Sequence, residues 1–321
     1  MVIIMAGKTL EQILQVEAKD GPFGKGDSVL EQTLRDFIQL QSLTISVGTK
    51  LVGVRTVPWL TFKWYTGVEG TFTYPLDDNA IVDATKELTK SYSVVLKKGQ
   101  GRTTFLDSVR LRGETWETLD RQQLAIITNR AAIIDNLILT ELHTGAGQTL
   151  AVGGGTSKWN GGSASDPEQN MLDGMDKIFT NARVSGDEAL ALVLPTLVRG
   201  TMLNTQLFGN VILSLQEHMG DIANISVYYT RDFGDGSGST GTSAALQNDA
   251  LLLIPGATTA EFFQYNGPGF METELTRIPG LGYDWLLTSY FGFVIHEHQD
   301  TGNAAGSGKN NRICKLTDVI A

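Results

Sequence analysis

The chain has 321 residues, 41% of them hydrophobic, which is enough to bury a large core in one or two domains. Its formal net charge of -10 excludes a sequence-independent grip on nucleic acid through a basic surface, because that grip rests on many Lys and Arg residues facing phosphates. The single cysteine, Cys314, excludes an intrachain disulfide framework and a cysteine-based zinc cluster.

The opening Met-Val-Ile-Ile-Met-Ala-Gly is too short an apolar run for a signal peptide, and no stretch approaches the roughly 18 apolar residues of a membrane-spanning helix. The chain is therefore expected to be soluble where it is made, with no membrane partner. Ser28-Val-Leu-Glu31 is a capping box, and Leu30, Leu34, Phe37 and Ile38 follow on one face, so a short amphipathic helix is predicted to end near Gln41. Before it lies a glycine-rich stretch from Asp20 to Asp27. The first forty residues read as an arm whose apolar face needs a body or a neighbouring subunit to cover it.

From about Lys50 to Val109 the pattern turns to strands: Leu51, Val52 and Val54, then Trp59, Phe62, Trp64 and Tyr65, then Phe72 and Tyr74, and later Ser91-Tyr-Ser-Val-Val-Leu96. Gly67, Gly70 and Pro75 break the runs, and Gly99-Gln-Gly101 is expected to form a tight turn. So many aromatics near turn residues predict an extended two-stranded excursion, which is marginal alone and needs a partner surface. Charge is concentrated here as well. Between Lys86 and Arg130 there are nine basic residues (Lys86, Lys90, Lys97, Lys98, Arg102, Arg110, Arg112, Arg121 and Arg130) against five acidic ones, in a chain with 25 basic and 35 acidic residues. Opposite patches of that kind suit self-association.

Residues Thr115 to His143 read as one helix. Trp116, Leu119, Ile126, Ile127, Ile133, Ile134, Leu137 and Ile138 recur at helical spacing, Thr115 can act as N-cap, His143 lies at the negative end of the dipole, and Gly145 supplies the stop. At 1.5 Å per residue it is on the order of 40 Å long, a spine for the rest. After a glycine-rich loop, Gly145 to Gly162, Pro167 opens a second helix with Met171, Leu172, Met175, Ile178 and Phe179 on one face. Ala189 to Leu194 predicts a fully buried strand, followed by helical segments near Thr196 to Thr205 and Val211 to Met219 and a strand at Ile225 to Thr230. An exposed loop, Asp232 to Thr242, precedes the return of Asp249 to Ile254 to the sheet. The rest is strand-rich: Glu261 to Tyr265, Phe270 to Leu275, Tyr283 to His298 and Arg312 to Leu316, with the spine as the expected cover.

Constellations that carry chemistry are weak. Gly236-Ser-Gly238-Ser-Thr-Gly241 has dinucleotide-fingerprint spacing but opens no helix of useful length. His296 and His298 share one side of a strand and could seed a metal site, as in a soluble metallohydrolase, but no third ligand accompanies them. Asp232-Phe-Gly234 lacks every other kinase element. Asn224-Ile-Ser226 fits a glycosylation sequon but falls in a strand. Cys314 reads as a buried structural thiol. The expectation is a protein without catalytic residues, cofactor or metal.

The order of arm, extended hairpin, long spine, glycine loop, small α/β unit and returning strands resembles the major capsid proteins of tailed double-stranded DNA viruses, the Hong Kong 97-like fold. The residues that carry it are Lys90 to Leu96 leading through Asp107-Ser-Val-Arg110 into the spine, Ala191-Leu-Val-Leu-Pro195 before a helix, and Trp285 to Ile295. The resemblance implies an α+β architecture with an N-terminal arm (1–50), an extended loop (51–110), a peripheral domain holding the spine (111–165 and 258–321) and an axial domain (166–257). It implies assembly in the host cytoplasm into the icosahedral shell of a virion, built from hexamers and pentamers of the chain itself. Such a shell encloses double-stranded DNA without sequence-specific binding, alongside separate scaffold, portal and decoration proteins. Lys97, Lys98, Arg102, Trp59, Trp64 and Phe37 are the expected intersubunit contacts. Encapsulins, nanocompartments that enclose cargo protein, are similar at this level and form the alternative.

Overall fold

A computed structural model describes residues 46–66, 90–106, 115–153, 158–159, 166–182, 184–196, 224–230, 248–265, 271–278, 282–297 and 308–319. The helix expected to end near Gln41, with Phe37, the strands expected around Phe72 and Tyr74, the helical segments expected near Thr196 to Thr205 (beyond Thr196 itself) and Val211 to Met219, the expected 232–242 loop with its glycine spacing, and His298 fall outside them.

The first described element is a single helical turn, α1 (Gly48–Leu51). Strand β1 (Val52–Val57) follows, then β2 (Thr61–Thr66), β3 (Lys90–Val95) and β4 (Lys97–Leu106). The spine is α2 (Thr115–Thr144), one uninterrupted helix with His143 in its last turn. Its buried apolar positions among the described residues are Ala131, Ile134, Ile138, Leu139 and Leu142, at the three- and four-residue spacing of one helix face. Ile133, which the sequence pattern places in the apolar stripe, is 55% exposed. It lies one residue, about 100° of helix, from Ile134, and the face that meets the sheets is centred on the latter.

Beyond the spine come β5 (Ala146–Ala151), α3 (Pro167–Ala182), β6 (Leu190–Pro195), β7 (Ile225–Thr230), β8 (Ala250–Leu253), β9 (Gly256–Tyr265), β10 (Met271–Ile278), β11 (Gly282–Ile295) and β12 (Asn310–Thr317). Among the described residues the strands make two five-stranded sheets and a ribbon. One sheet runs β5-β12-β8-β6-β7, the other runs β1-β9-β11-β10 with β4 also paired to β11, and β2 pairs with β3 alone.

The β5-β12-β8-β6-β7 sheet is covered on both faces, and strand alternation decides which residue meets which cover. Leu190, Leu192, Leu194, Leu252, Cys314 and Leu316 pack with Met171 and Ile178 of α3. Ala191, Val193, Leu251, Leu253 and Ile313 face the other way, into a cluster with Ile134, Ile138 and Leu142 of the spine. That cluster also holds Ala260, Phe262 and Phe291, so the spine's C-terminal half meets both five-stranded sheets in one core. The expected fully buried strand is β6, every residue of which is buried.

Several amide side chains beside this packing are paired with one another. Gln148 Nε2 donates to Asn311 Oδ1 at 2.8 Å, Asn181 Nδ2 donates to Gln148 Oε1 at 3.2 Å, and Asn311 Nδ2 donates to the Asn181 carbonyl at 3.3 Å. These amides bridge β5, β12 and the end of α3 beside an irregularity in the β5–β12 ladder between Asn310 and Cys314.

Two expectations for the 51–110 stretch change. Only β2 and β3 form a two-stranded ribbon; β1 pairs in parallel with β9, and β4 lies antiparallel along β11. Nor is Gly99-Gln-Gly101 a turn: both glycines lie inside β4, Gly99 opposite Ser289 and Gly101 opposite Leu287. The reason for Gly99 is packing, since a Cβ there would sit 2.9 Å from Cε1 of the Phe291 ring.

Candidate assembly surface

Pro58, Trp59 and Leu60 carry the chain from β1 to β2, and Leu96 carries it from β3 to β4. These two crossings are joined at the base of the ribbon: Thr61 pairs with Val95, and Leu96 N–H donates to the Leu60 carbonyl at 2.8 Å. One side of the ribbon is met by the chain itself. Val94 and Leu96 are buried with Val57 and Phe263, and Phe62 stacks at a tilt against Phe263 with ring centroids 5.4 Å apart. The Arg55 guanidinium lies over the outer part of this cluster, 5.1 Å from the Phe62 centroid.

Other apolar residues at the ribbon base are exposed among the described residues. Trp59 is 70% exposed, Val95 61% and Leu60 43%, and together with Val54 they make up four of the five large exposed hydrophobics of the described chain. Scattered exposed apolar residues are ordinary, but here three of them meet at one place. Lys97 and Lys98 follow directly and are exposed. Apolar anchor and positive charge therefore occupy the same ribbon base.

The structure separates the basic residues that the sequence groups together. Along β4, Lys98, Gln100 and Arg102 alternate onto one face, where Gln100 Nε2 donates to Thr288 Oγ1 at 3.2 Å. Lys97 falls on the opposite face, that of Gly99. Arg130 leaves the surface altogether: it is buried in the spine, where desolvation lowers its pKa to about 10, so it remains positive at neutral pH. Trp64 lies in β2 opposite Tyr92. Phe37 is outside the described residues. Sequence reasoning missed Leu60 and Val95, whose exposure follows from strand pairing with no local signal.

Groups that could support chemistry are engaged structurally. His296 Nε2 lies 3.2 Å from Glu261 Oε2, half-buried at the end of β11. His143 Nε2 lies 2.7 Å from Asp249 Oδ2, whose other oxygen accepts the Asp318 N–H at 2.9 Å. Cys314 is buried against α3, and burial pushes its thiol up to about 12. Among the described residues no three His, Cys, Asp or Glu side chains gather as a metal site, and no helix is long and apolar enough to cross a membrane.

No protein-family model matches the sequence, and neither does any curated protein. The fold, however, matches solved structures of shells. The virus-like particle from Pyrococcus furiosus aligns over 89% of this chain and 98% of its own, at 11% identity and a TM-score of 0.55. The mature capsid of bacteriophage PhiM1 aligns over 85% and 86%, at 8% identity and a TM-score of 0.59. The capsid of cyanophage P-SCSP1u aligns over 85% and 88%, at 10% identity and a TM-score of 0.57. At these identities the likeness concerns the fold, and the chain has the α+β, Hong Kong 97-like capsid fold.

Proposed function

We propose that this chain is a major capsid protein, a non-enzymatic subunit that assembles with copies of itself into an icosahedral shell around a double-stranded DNA genome. The observation that carries the reading is the ribbon base, where Trp59, Leu60 and Val95 stand exposed beside Lys97 and Lys98 on a fold shared with shell subunits. A heterologous contact, in which this base docks on a different patch of the next subunit, generates rings, and rings of five and six close a shell. The neighbour would offer an apolar recess rimmed by carboxylates, which the acidic remainder of the chain supplies in number. In this reading the arm, extended loop, peripheral and axial domains divide the chain near residues 50, 110, 165 and 257. Scaffold, portal and decoration proteins are separate partners, and the completed shell resides in the virion after assembly in the host cytoplasm.

A second reading, an encapsulin-like nanocompartment around cargo protein, is favoured by the Pyrococcus furiosus particle, nearly the whole of whose chain is matched. Electron microscopy of the purified protein tests the shell itself: closed particles are expected, and monomer alone at every concentration, with and without a scaffold protein, would overturn it. Nuclease-protected DNA inside the particles supports the first reading. Protected protein without DNA supports the second.

A further inference from the structure

Residues 46–48 are fastened to the spine by a single carboxylate. Ser46 Oγ donates to Asp135 Oδ1, Val47 N–H donates to Oδ2 at 3.0 Å, and Gly48 N–H donates to Oδ1 at 2.7 Å. Ser46 and Asp135 are both buried. Thr49 braces the group from behind: its N–H donates to Ser46 Oγ at 3.3 Å and its hydroxyl donates to the Ser46 carbonyl at 3.2 Å. Gly48 suits the closeness of the approach, since a Cβ there would lie 3.0 Å from both Asp135 Oδ1 and Ile138 Cβ.

At Leu51 the nature of the hold changes. Leu51 and Val52 are buried in the apolar cluster with Ile134 and Ile138, and from Val52 onward β1 is laddered to β9. Residues 46–50 have no such ladder among the described residues. A carboxylate that accepts three donors is a strong tie, because charge-assisted hydrogen bonds exceed neutral ones, but it is a polar tie that water can replace. An apolar core lets go only with the fold.

We propose that Asp135 is a detachable latch: residues 46–50 release from the spine as a unit, with Leu51 as the fixed point, while the rest of the molecule stays folded. The latch then sets the direction of the chain at Ser46, and opening it changes that direction. Under the shell reading above, on which this last consequence rests, subunits in five-fold and six-fold rings meet unlike surroundings, and a joint with two positions lets one sequence serve both.

The test is residue-resolved amide hydrogen exchange on the full chain as purified, in wild type, Asp135→Asn and Ser46→Ala. Asparagine keeps the shape but has one acceptor oxygen and turns an NH₂ toward the donors. Exchange at Val47 and Gly48 is expected to rise about tenfold or more in Asp135→Asn, and by less in Ser46→Ala, with Val54, Ile134 and Ile138 unchanged in both. Unchanged exchange at Val47 and Gly48 overturns the latch. So does faster exchange spreading through β1 and the spine, which would make Asp135 a part of the core. If Asp135→Asn does not fold, Ser46→Ala still decides, since it removes one donor and leaves the carboxylate. The exchange result stands apart from assembly. If the latch is released as expected but particle sizes in electron micrographs match wild type, the role in the shell fails while the latch survives.

Discussion

The β5-β12-β8-β6-β7 sheet and the β2–β3 ribbon treat apolar side chains in opposite ways. The sheet is closed on itself: α3 covers one face, the spine covers the other, and every residue of β6 is buried. The ribbon is covered by Phe263 at Val94 and Leu96 and leaves Trp59, Leu60 and Val95 at its base in solvent. Under the proposed shell function, a subunit that folds before it assembles needs both kinds of region. The first holds the monomer together and the second holds surface in reserve.

Substitutions that break the comparison should rank by region. In the closed sheet, Leu252→Ala removes a fully buried side chain between α3 and β12, and a loss of about 2–5 kcal/mol is expected in chemical denaturation. Particles should disappear with the fold. Next comes Gly99→Val on β4, where the added atoms meet the Phe291 ring at 2.9 Å; a cost of about 1–3 kcal/mol is expected by the same measurement. A cost near zero would show that the ring moves aside.

The third effect depends on pH. Burial raises the Cys314 thiol from 9.0 to about 12, so the folded chain keeps a proton that the unfolded chain releases. The contribution is therefore complete below pH 9 and is lost between pH 9 and 12, at about 1.4 kcal/mol per pH unit. Wild type should lose stability over that range relative to Cys314→Ala, and below pH 9 the native thiol should resist alkylation. Equal slopes for the two proteins would mean that the thiol is not held in its neutral form.

The smallest effect on folding belongs to the ribbon. Trp59→Ser, or Lys97, Lys98 and Arg102 all changed to Glu, should leave subunit stability within about 0.5 kcal/mol and the circular dichroism spectrum unchanged, yet abolish particles in electron micrographs. Each exposed charge pair is worth only about 0.2–1 kcal/mol, but a shell repeats the contact in every subunit. Because Lys98 and Arg102 share a face of β4 that Lys97 does not, the Lys98/Arg102 double variant and the Lys97 single variant sharpen the test. Normal particle yield from all of them would return these charges to the role of a solvated surface.

The parts legible in the sequence were those governed by local periodicity. The spine, expected from Thr115 to His143, runs Thr115–Thr144, and the helix opened by Pro167 and the buried strand before Pro195 are where their patterns place them. What escaped depends on partners far along the chain. Gly99 looked like a turn because nothing local announces Phe291, and nothing local marks Asp135, because Ser46 and Gly48 lie almost ninety residues earlier. Of the candidate site, the basic run was legible by composition. The division of Lys97 from Lys98, the burial of Arg130 and the exposure of Leu60 and Val95 were not, since pairing across the ribbon and packing against the sheets decide them.

The position of β12 carries one more consequence, for the order of events on the ribosome. This strand lies between β5 and β8, yet among the described elements it is the last to be translated. Until it emerges, β5 has no neighbour in the sheet and the α3 side chains that rest on Cys314 and Leu316 face solvent or a chaperone. Contacts so distant in sequence form late. The sheet is therefore finished only once synthesis has passed residue 317.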